Sequence, residues 1–343
     1  MNPPGISIII PAKNNEDTIL FTLKSIINQT YSGKIEVIIV IDGGSKDETY
    51  NIVRKFSKSN RIPMKIIKLR YNVTPAKARN IGICISSYDL ILFLDADCML
   101  LNNWIEIAVK DLTNNYHKNV VGVGGALKYI FKSQELNRVL AKILNRSLIF
   151  SGGSVQFFIS SSKSKFVKAL STSNSLFYKE SIIKIGKFNE DLRYCEDSDL
   201  SQRLRKQGYK LLYDNKLVCL HCMYRIKELK DFISYIYNYG KGRGTAFVKN
   251  FRLLTNSIIF AFIYLIILIT FSLISIFSSL FIYYLGLLIL AYITAILIDL
   301  IINVKLNIRW PYLINGILII IMSHVSYLAG FLMGLFKEKF KRK

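Results

Sequence analysis

The chain has 343 residues, with 46 Lys and Arg against 23 Asp and Glu, a net charge of +23, and 51% hydrophobic residues. A chain this basic and this apolar must separate the two characters along its length. No charged side chain occurs from Leu253 to Ile298, far more than the ~20 apolar residues of one membrane-crossing helix. A fully soluble protein is thereby excluded, as are disorder and a disulfide scaffold.

The first hundred residues alternate strand and helix. Ile6–Pro11 reads as a short buried strand. With no basic stretch before it, the N-terminus is not expected to be a signal peptide, which predicts a cytoplasmic soluble part with five free thiols. Asp17–Thr30 carries Ile19, Leu23, Ile26 and Ile27 at helical spacing. Glu36–Ile41 reads as a buried strand, Lys46–Phe56 as a helix opened by Ser45, Met64–Leu69 as a strand, Ala76–Ser86 as a helix and Leu90–Leu94 as a continuous apolar strand. This order predicts an α/β domain with a mostly parallel sheet and helices on both faces. Ligands then bind beyond the carboxyl ends of the strands, which singles out Pro11–Glu16, Asp42–Ser45 and Asp95–Asp97.

Residues 102–170 read as less regular, with a strand at Val120–Val123 and a polar loop at Ser160–Lys165. A second motif-bearing region runs from Thr172 to His221. Lys227–Phe251 mixes aromatic and basic residues and reads as an amphipathic helix at the membrane surface. Residues 253–302 are long enough for two spans with a turn near Ser278–Tyr284, and Pro311–Phe336 is a third apolar segment. Two or three spans are expected. Three spans would put the basic tail outside, against the positive-inside rule. Asp299, close to a span end, is expected to reach the interface, and His324 is costly in lipid without a partner.

Two carboxylates at a strand end, Asp95 and Asp97, suit an oxygen shell for Mg2+ or Mn2+ on a diphosphate; capping the next helix is the plain alternative. Asp42, with Gly43-Gly44 behind it, suits a nucleoside contact or a simple turn. Arg79 can reach a donor phosphate or form a surface salt bridge. Four acids, Glu190, Asp191, Glu196 and Asp197, precede a helix in which Asp199 and Arg203 form an i, i+4 pair. Asp197, placed ahead of that helix, can take a proton from an acceptor hydroxyl. Cys219 and Cys222 bracket His221, but a zinc site needs a second cluster that the chain lacks.

Taken together, IIIPAKNNEDTI, VIIVIDGGSKDET, ARNIGI, ILFLDADC, STSNSLFYKESIIKIGKFNEDL and CEDSDLSQRLRKQGYKL resemble the family 2 glycosyltransferases. YNYGKGRG and HVSYLAGFLMGLF resemble their membrane-anchored, succinoglycan-type branch. The resemblance implies a GT-A fold over residues 1–225, an interfacial helix region at 226–252, spans within 253–336 and a basic tail at 337–343. It implies inverting transfer of a sugar from a nucleotide-sugar donor to a membrane-associated acceptor: a polyprenyl phosphate, lipid-linked glycan or polysaccharide. On that analogy Pro11, Lys13, Asn15 and Asp42 line the nucleoside pocket, with Arg79 near the donor. Asp95 contacts the nucleotide, Asp97 and His221 hold Mg2+ or Mn2+, and Asp197 is the general base.

The chain departs from the family at Asn15, where Glu is usual and Glu16 follows one step later. It also lacks the Gln-x-x-Arg-Trp element of processive synthases. Arg309-Trp310 has Leu306 where Gln is required, and Lys241-Gly242-Arg243-Gly244 occupies the comparable region, so processive synthesis is not expected. Membrane lipid is an expected partner and nucleic acid is not, because no RNA-binding motif is present. The alternative is a non-catalytic basic membrane-tethered module binding RNA or anionic lipid, which explains the charge without chemistry.

Overall fold

The computed structural model describes residues 3–147, 164–253, 256–278, 280–305 and 310–341. The chain forms two units: Met1–Lys132 with Val155–Arg225, and Ser133–Ser154 with Ile226–Lys343. Nothing in the chain order sets Ser133–Ser154 apart, yet it groups with the second unit.

The first unit is built on an eight-stranded sheet of order β3-β2-β1-β4-β9-β6-β10-β8. Its strands are β1 (Ile6–Ala12), β2 (Ile35–Ile41), β3 (Met64–Lys68), β4 (Leu90–Leu94), β6 (Val120–Gly124), β8 (Lys165–Phe166), β9 (Asn174–Tyr178) and β10 (Lys210–Tyr213). β5 (Cys98–Leu100), β11 (Cys219–Cys222) and β7 (Leu127–Ile130) form a small second sheet in that order. β1, β2 and β4 are near-continuous apolar runs, the pattern of parallel strands covered on both faces. The one acid inside them, buried Glu36, accepts from Ser7 Oγ at 2.6 Å and lies 2.9 Å from Lys65 Nζ.

β1 to β4 run parallel, as the alternating pattern predicts. β9 enters antiparallel between β4 and β6, and β10 lies parallel to β6. The carboxyl ends of β1, β2, β4, β6 and β10 therefore share one rim with the start of β9.

Helices α1 (Ile19–Ile27), α2 (Thr49–Lys58) and α3 (Pro75–Ile85) connect the parallel strands and are offset by up to three residues from their sequence-predicted ends. α3 opens on Thr74, whose hydroxyl accepts from Lys77 N, with Pro75 in its first turn. Within the stretch that reads as irregular lies α4 (Trp104–Asn114), with Trp104, Ile105, Ala108, Val109 and Leu112 buried at helical spacing. α5 (Lys179–Lys184) and α6 (Glu196–Lys206) follow β9. Most of the polar loop at Ser160–Lys165 and the Leu306–Arg309 stretch lie outside the described residues.

The second unit contains α7 (Leu229–Lys249), α8 (Asn256–Ile274), α9 (Leu280–Ile302) and α10 (Trp310–Lys341). Among the described residues, two helices are long and apolar enough to cross a membrane: Leu280–Ile302 and Trp310–Glu338, with mean hydropathies of 2.6 and 2.0. α8 and α9 leave Ile266, Leu273, Leu287 and Leu290 exposed, as the turn between them leaves Phe277, a surface suited to lipid.

The buried stripe of α7, at Phe232, Ile236, Gly240 and Gly244, is taken up by α10. A Cβ on Gly240 or Gly244 would strike the carbonyl oxygens of Tyr327 or Phe331. One on Gly330 or Gly334 would strike those of Tyr237 or Lys241. The Lys241–Gly244 stretch is thus part of a reciprocal glycine contact that brings two helix backbones together.

Asp299 does not behave as an interfacial side chain. It is buried, accepting from Ser147 Oγ at 2.5 Å and Asn303 Nδ2 at 2.8 Å. His324 Nδ1 and Tyr292 Oη, on α10 and α9, are 2.6 Å apart. Polar groups among apolar helices are retained when paired in this way.

The glycine contact makes opposite predictions for two Gly→Ala changes. Gly330→Ala should destabilise the purified protein by about 1–3 kcal/mol through overpacking. Gly286→Ala, with nothing within 4 Å of the added Cβ, should be neutral or stabilising by up to about 1 kcal/mol. Thermal unfolding in detergent measures both.

Candidate active site

The loop after β1 is stitched to the start of α2. Asn14 N–H donates to Ser45 Oγ at 2.9 Å and Lys46 N–H returns to Asn14 Oδ1 at 2.8 Å. Asn15 N–H donates to Thr49 Oγ1 at 2.7 Å, and Glu48 N–H donates to Glu16 Oε2 at 3.0 Å. Asn15 is buried and its Oδ1 accepts from Lys13 N at 2.9 Å. Its side chain is spent on the loop itself, and Glu16 on the α2 terminus. Pro11 sits in β1 beyond the last residue paired with β4, where its missing N–H costs no ladder bond.

Asp42, at the end of β2, accepts from Gly44 N at 2.6 Å and Val73 N at 2.9 Å, and lies 3.2 Å from Lys13 Nζ. Burial works against its ionised form, but the Val73 and Gly44 N–H groups and the Lys13 ammonium overcome it. The carboxyl lies below its ordinary range. A Cβ on Gly43 would strike the Tyr71 backbone, whereas one on Gly44 would displace the Asn72 side chain. Arg225 donates to the carbonyls of Lys13 and Asn14, a contact across 211–212 residues that no local pattern signals.

Asp95 and Asp97 do not share one orientation. β4 ends at Leu94, and Cys98 N–H closes a turn on Asp95 C=O at 3.1 Å, so the alternation of an extended strand does not reach Asp97. Asp95 accepts from Arg79 Nη2 at 2.8 Å and from Ser173 Oγ at 2.6 Å. Asp97 lies 3.3 Å from His221 Nε2 and its carbonyl accepts from Cys222 N–H at 2.7 Å. The two carboxylates of the motif serve two different corners.

Arg79 is 3% exposed, and its two terminal nitrogens donate to Asp95 and, at 2.7 Å, to Glu196 Oε1. It is neither a surface ion pair nor free to extend to a phosphate. It ties the end of β4 to the first residue of α6. Burial works against the guanidinium, and Asp95 and Glu196 more than restore it. Glu196 is pushed up to about 7 by burial, which outweighs Arg79; neighbouring Asp197 adds to the rise. Asp197 stands in the first turn of α6 rather than ahead of it, half-buried, with Oδ1 accepting from Ser198 N at 2.6 Å. Asp199 and Arg203 form the expected helix pair at 2.8 Å.

His221 comes from β11, its ring centroid 5.2 Å from that of Tyr129. Burial opposes the imidazolium, while Cys98, Asp97 and Asp95 raise its pKa to about 10. Cys98 is itself held neutral by burial and Cys219, so the carboxylates carry that effect at neutral pH. Asp97 is lowered: burial alone would raise it, but His221 and Arg225 reverse the sign. Two donor atoms on one divalent ion stand about 3–3.4 Å apart, and Asp97 Oδ1 and His221 Nε2 meet that spacing. His221 Nδ1 is buried without a hydrogen-bond partner. The pair fits a divalent ion.

Sequence reasoning missed Glu196 as the partner of Arg79, and also Ser173 and Arg225. Only the acidic run around Glu196 offered a local signal.

Residues 7–169 match the family described as glycosyl transferase family 2. A dolichyl N-acetyl-α-D-glucosaminyl phosphate 3-β-D-2,3-diacetamido-2,3-dideoxy-β-D-glucuronosyltransferase of Methanococcus voltae is 27% identical over 97% of each chain. A poly-β-1,6-N-acetyl-D-glucosamine synthase of Staphylococcus epidermidis is 28% identical over 63% of this chain, which spans 49% of that protein. The fold is similar to that of a mannosyltransferase from Pyrobaculum calidifontis in complex with GDP-Man and Mn2+. Its TM-score is 0.64 at 16% identity, over 98% of this chain and 89% of that one.

The raised Glu196 carboxyl fixes the sign of a pH effect. Its pKa in the fold, about 7, exceeds the ordinary 4.5, so its contribution to stability is complete below the ordinary value and is lost as pH rises through about 7. Glu196→Gln should flatten the fall in melting temperature across that window, read by scanning fluorimetry at stepped pH. An unchanged slope contradicts the assignment.

Proposed function

Because the chain is a family 2 glycosyltransferase rather than a non-catalytic basic module, we propose that it transfers a sugar, with inversion, from a nucleotide-sugar donor to a hydroxyl of a lipid-linked glycan. The observation that carries this reading is the ionic framework at the sheet's rim. Arg79 connects Asp95 to the residue preceding Asp197, and Lys13, Arg225 and His221 surround Asp42 and Asp97. The full-length likeness to a transferase acting on a dolichyl-linked sugar favours a lipid-linked acceptor over a polysaccharide, since the synthase likeness covers half of that protein.

Asp42, fixed by two backbone N–H groups, and Lys13, with a partly exposed ammonium, bound the nucleoside end of the cleft beside Pro11. Asn15 shapes that loop rather than touching donor. Asp97 and His221 would hold Mn2+ or Mg2+, which when bound neutralises charge on the departing diphosphate. Asp95, clamped by Arg79 and Ser173, lines the donor side. An acceptor hydroxyl, unlike a lipid phosphate, must lose a proton, and Asp197 accepts it as the new bond forms on the face opposite the leaving group. Glu196 and Arg79 orient Asp197 by fixing the first turn of α6. The two apolar helices fit association with the membrane that carries the acceptor, with the catalytic unit on the cytoplasmic side where nucleotide sugars are made.

Membranes containing the protein, incubated with a panel of radiolabelled nucleotide sugars, should move label into organic-solvent-extractable lipid for one donor. Label appearing only in polymer, or none from any donor, overturns the proposal. Asp197→Asn should lower kcat by about 10²–10⁴-fold, the usual contribution of a general base, with little change in donor KM. Arg79→Lys, which keeps the charge but not the two-sided reach, should lower kcat more than it raises donor KM. A change confined to KM would instead make Arg79 a donor contact.

A further inference from the structure

The corner that holds Asp97 and His221 contains a third donor that the transfer reaction does not use. Cys98 follows Asp97 directly and lies opposite His221 in the β5–β11 register, so both side chains leave the small sheet on the same face. Asp97, Cys98 and His221 each offer a ligand atom, all within 4.8 Å of one another. The Asp97 carbonyl, held by Cys222 N–H, keeps the strand that bears Cys98 against the strand that bears His221. Cys98 is 0% exposed, which shields its sulfur from solvent.

We propose that Cys98 supplies a thiolate to a divalent ion held by Asp97 and His221, making this a thiophilic site that prefers Cd2+, Zn2+ and Mn2+ over Mg2+. The inference rests on the metal-holding part of the function proposed above. A carboxylate alone would suit Mg2+, imidazole and thiolate suit borderline and soft ions, and Mg2+ takes oxygen donors. On binding, the Cys98 S–H bond and the Nε2–H bond of the His221 imidazolium would break, metal–sulfur and metal–nitrogen bonds would form, and both protons would leave to solvent; no oxidant or reductant is involved. The three donors need to close by only about 1 Å to meet the spacing of ligands on one ion. Zn2+, held more tightly than Mn2+, would then compete with a working ion that must also accept diphosphate oxygens.

The test uses purified full-length protein in detergent, stripped of divalent ions and with no sugar donor or acceptor present. Titration with Cd2+ is followed by the ultraviolet absorption of cadmium–thiolate bonds. Wild type should gain this band at a single equivalent, and Cys98→Ser should lose it. Loss of even an outer partner of a metal ligand weakens binding by about 10–100-fold. Cys98→Ser should weaken Cd2+ binding by at least about that factor, with Mg2+ affinity unchanged. Cys84→Ser and Cys219→Ser should keep the band.

Cadmium-edge X-ray absorption on wild type, which needs no variant, should show one sulfur neighbour. A shell of oxygen and nitrogen alone, a band that survives Cys98→Ser, or one lost in Cys219→Ser instead would overturn the proposal. Because no sugar is present, failure of the transferase reading leaves this result standing. A negative result here likewise leaves sugar transfer untouched.

Discussion

A guanidinium removed from water and held between two carboxylates organises the catalytic unit. Burying Arg79 would be prohibitive alone, and removing one partner of such a group costs about 3–5 kcal/mol, because the remaining charge stays buried without compensation. The Asp95–Arg79–Glu196 bridge therefore fixes the separation between the end of β4 and the start of α6. One cation between two anions leaves a surplus of negative charge. Burial, with a smaller push from neighbouring Asp197, raises the pKa of Glu196, the more buried carboxylate, to about 7.

That bridge explains why the paired aspartates divide their tasks. Asp95 is consumed by Arg79 and Ser173, so it holds the rim in shape. Asp97, two residues later, faces the small sheet, where β11 carries His221 and β5 carries Cys98. At the proposed metal site, a Cys98 thiolate would shift the donor set from hard oxygen toward borderline nitrogen and sulfur.

The second unit solves a different problem. Apolar helices in lipid gain little from burying more apolar surface, so close backbone approach and paired polar groups must hold them. Gly240 and Gly244 facing Gly330 and Gly334 provide the first. Asp299 with Ser147 and Asn303, and Tyr292 with His324, provide the second. α7, basic and aromatic in composition, is thereby an internal partner of α10.

Alternating apolar and turn segments determined the order of the first strands and helices. Because a strand's carboxyl end in such a sheet is a fixed place, they also marked Asp42, Asp95 and Asp97 as rim residues. The uncharged run from Leu253 to Ile298 and the apolar Pro311–Phe336 segment likewise marked the membrane-type helices from composition alone. α4 was missed although Trp104, Ala108 and Leu112 recur at helical spacing, because the asparagines on either side, Asn102-Asn103 and Asn114-Asn115, read as loop. Tertiary structure alone decided the partners: Arg79 with Glu196 across 117 residues, Asp95 with Ser173 across 78, and His221 opposite Cys98. These pairings depend on β9 inserting antiparallel beside β4 and on β11 joining β5. Hydrogen bonding between strands distant in sequence fixes both, and no local periodicity encodes it.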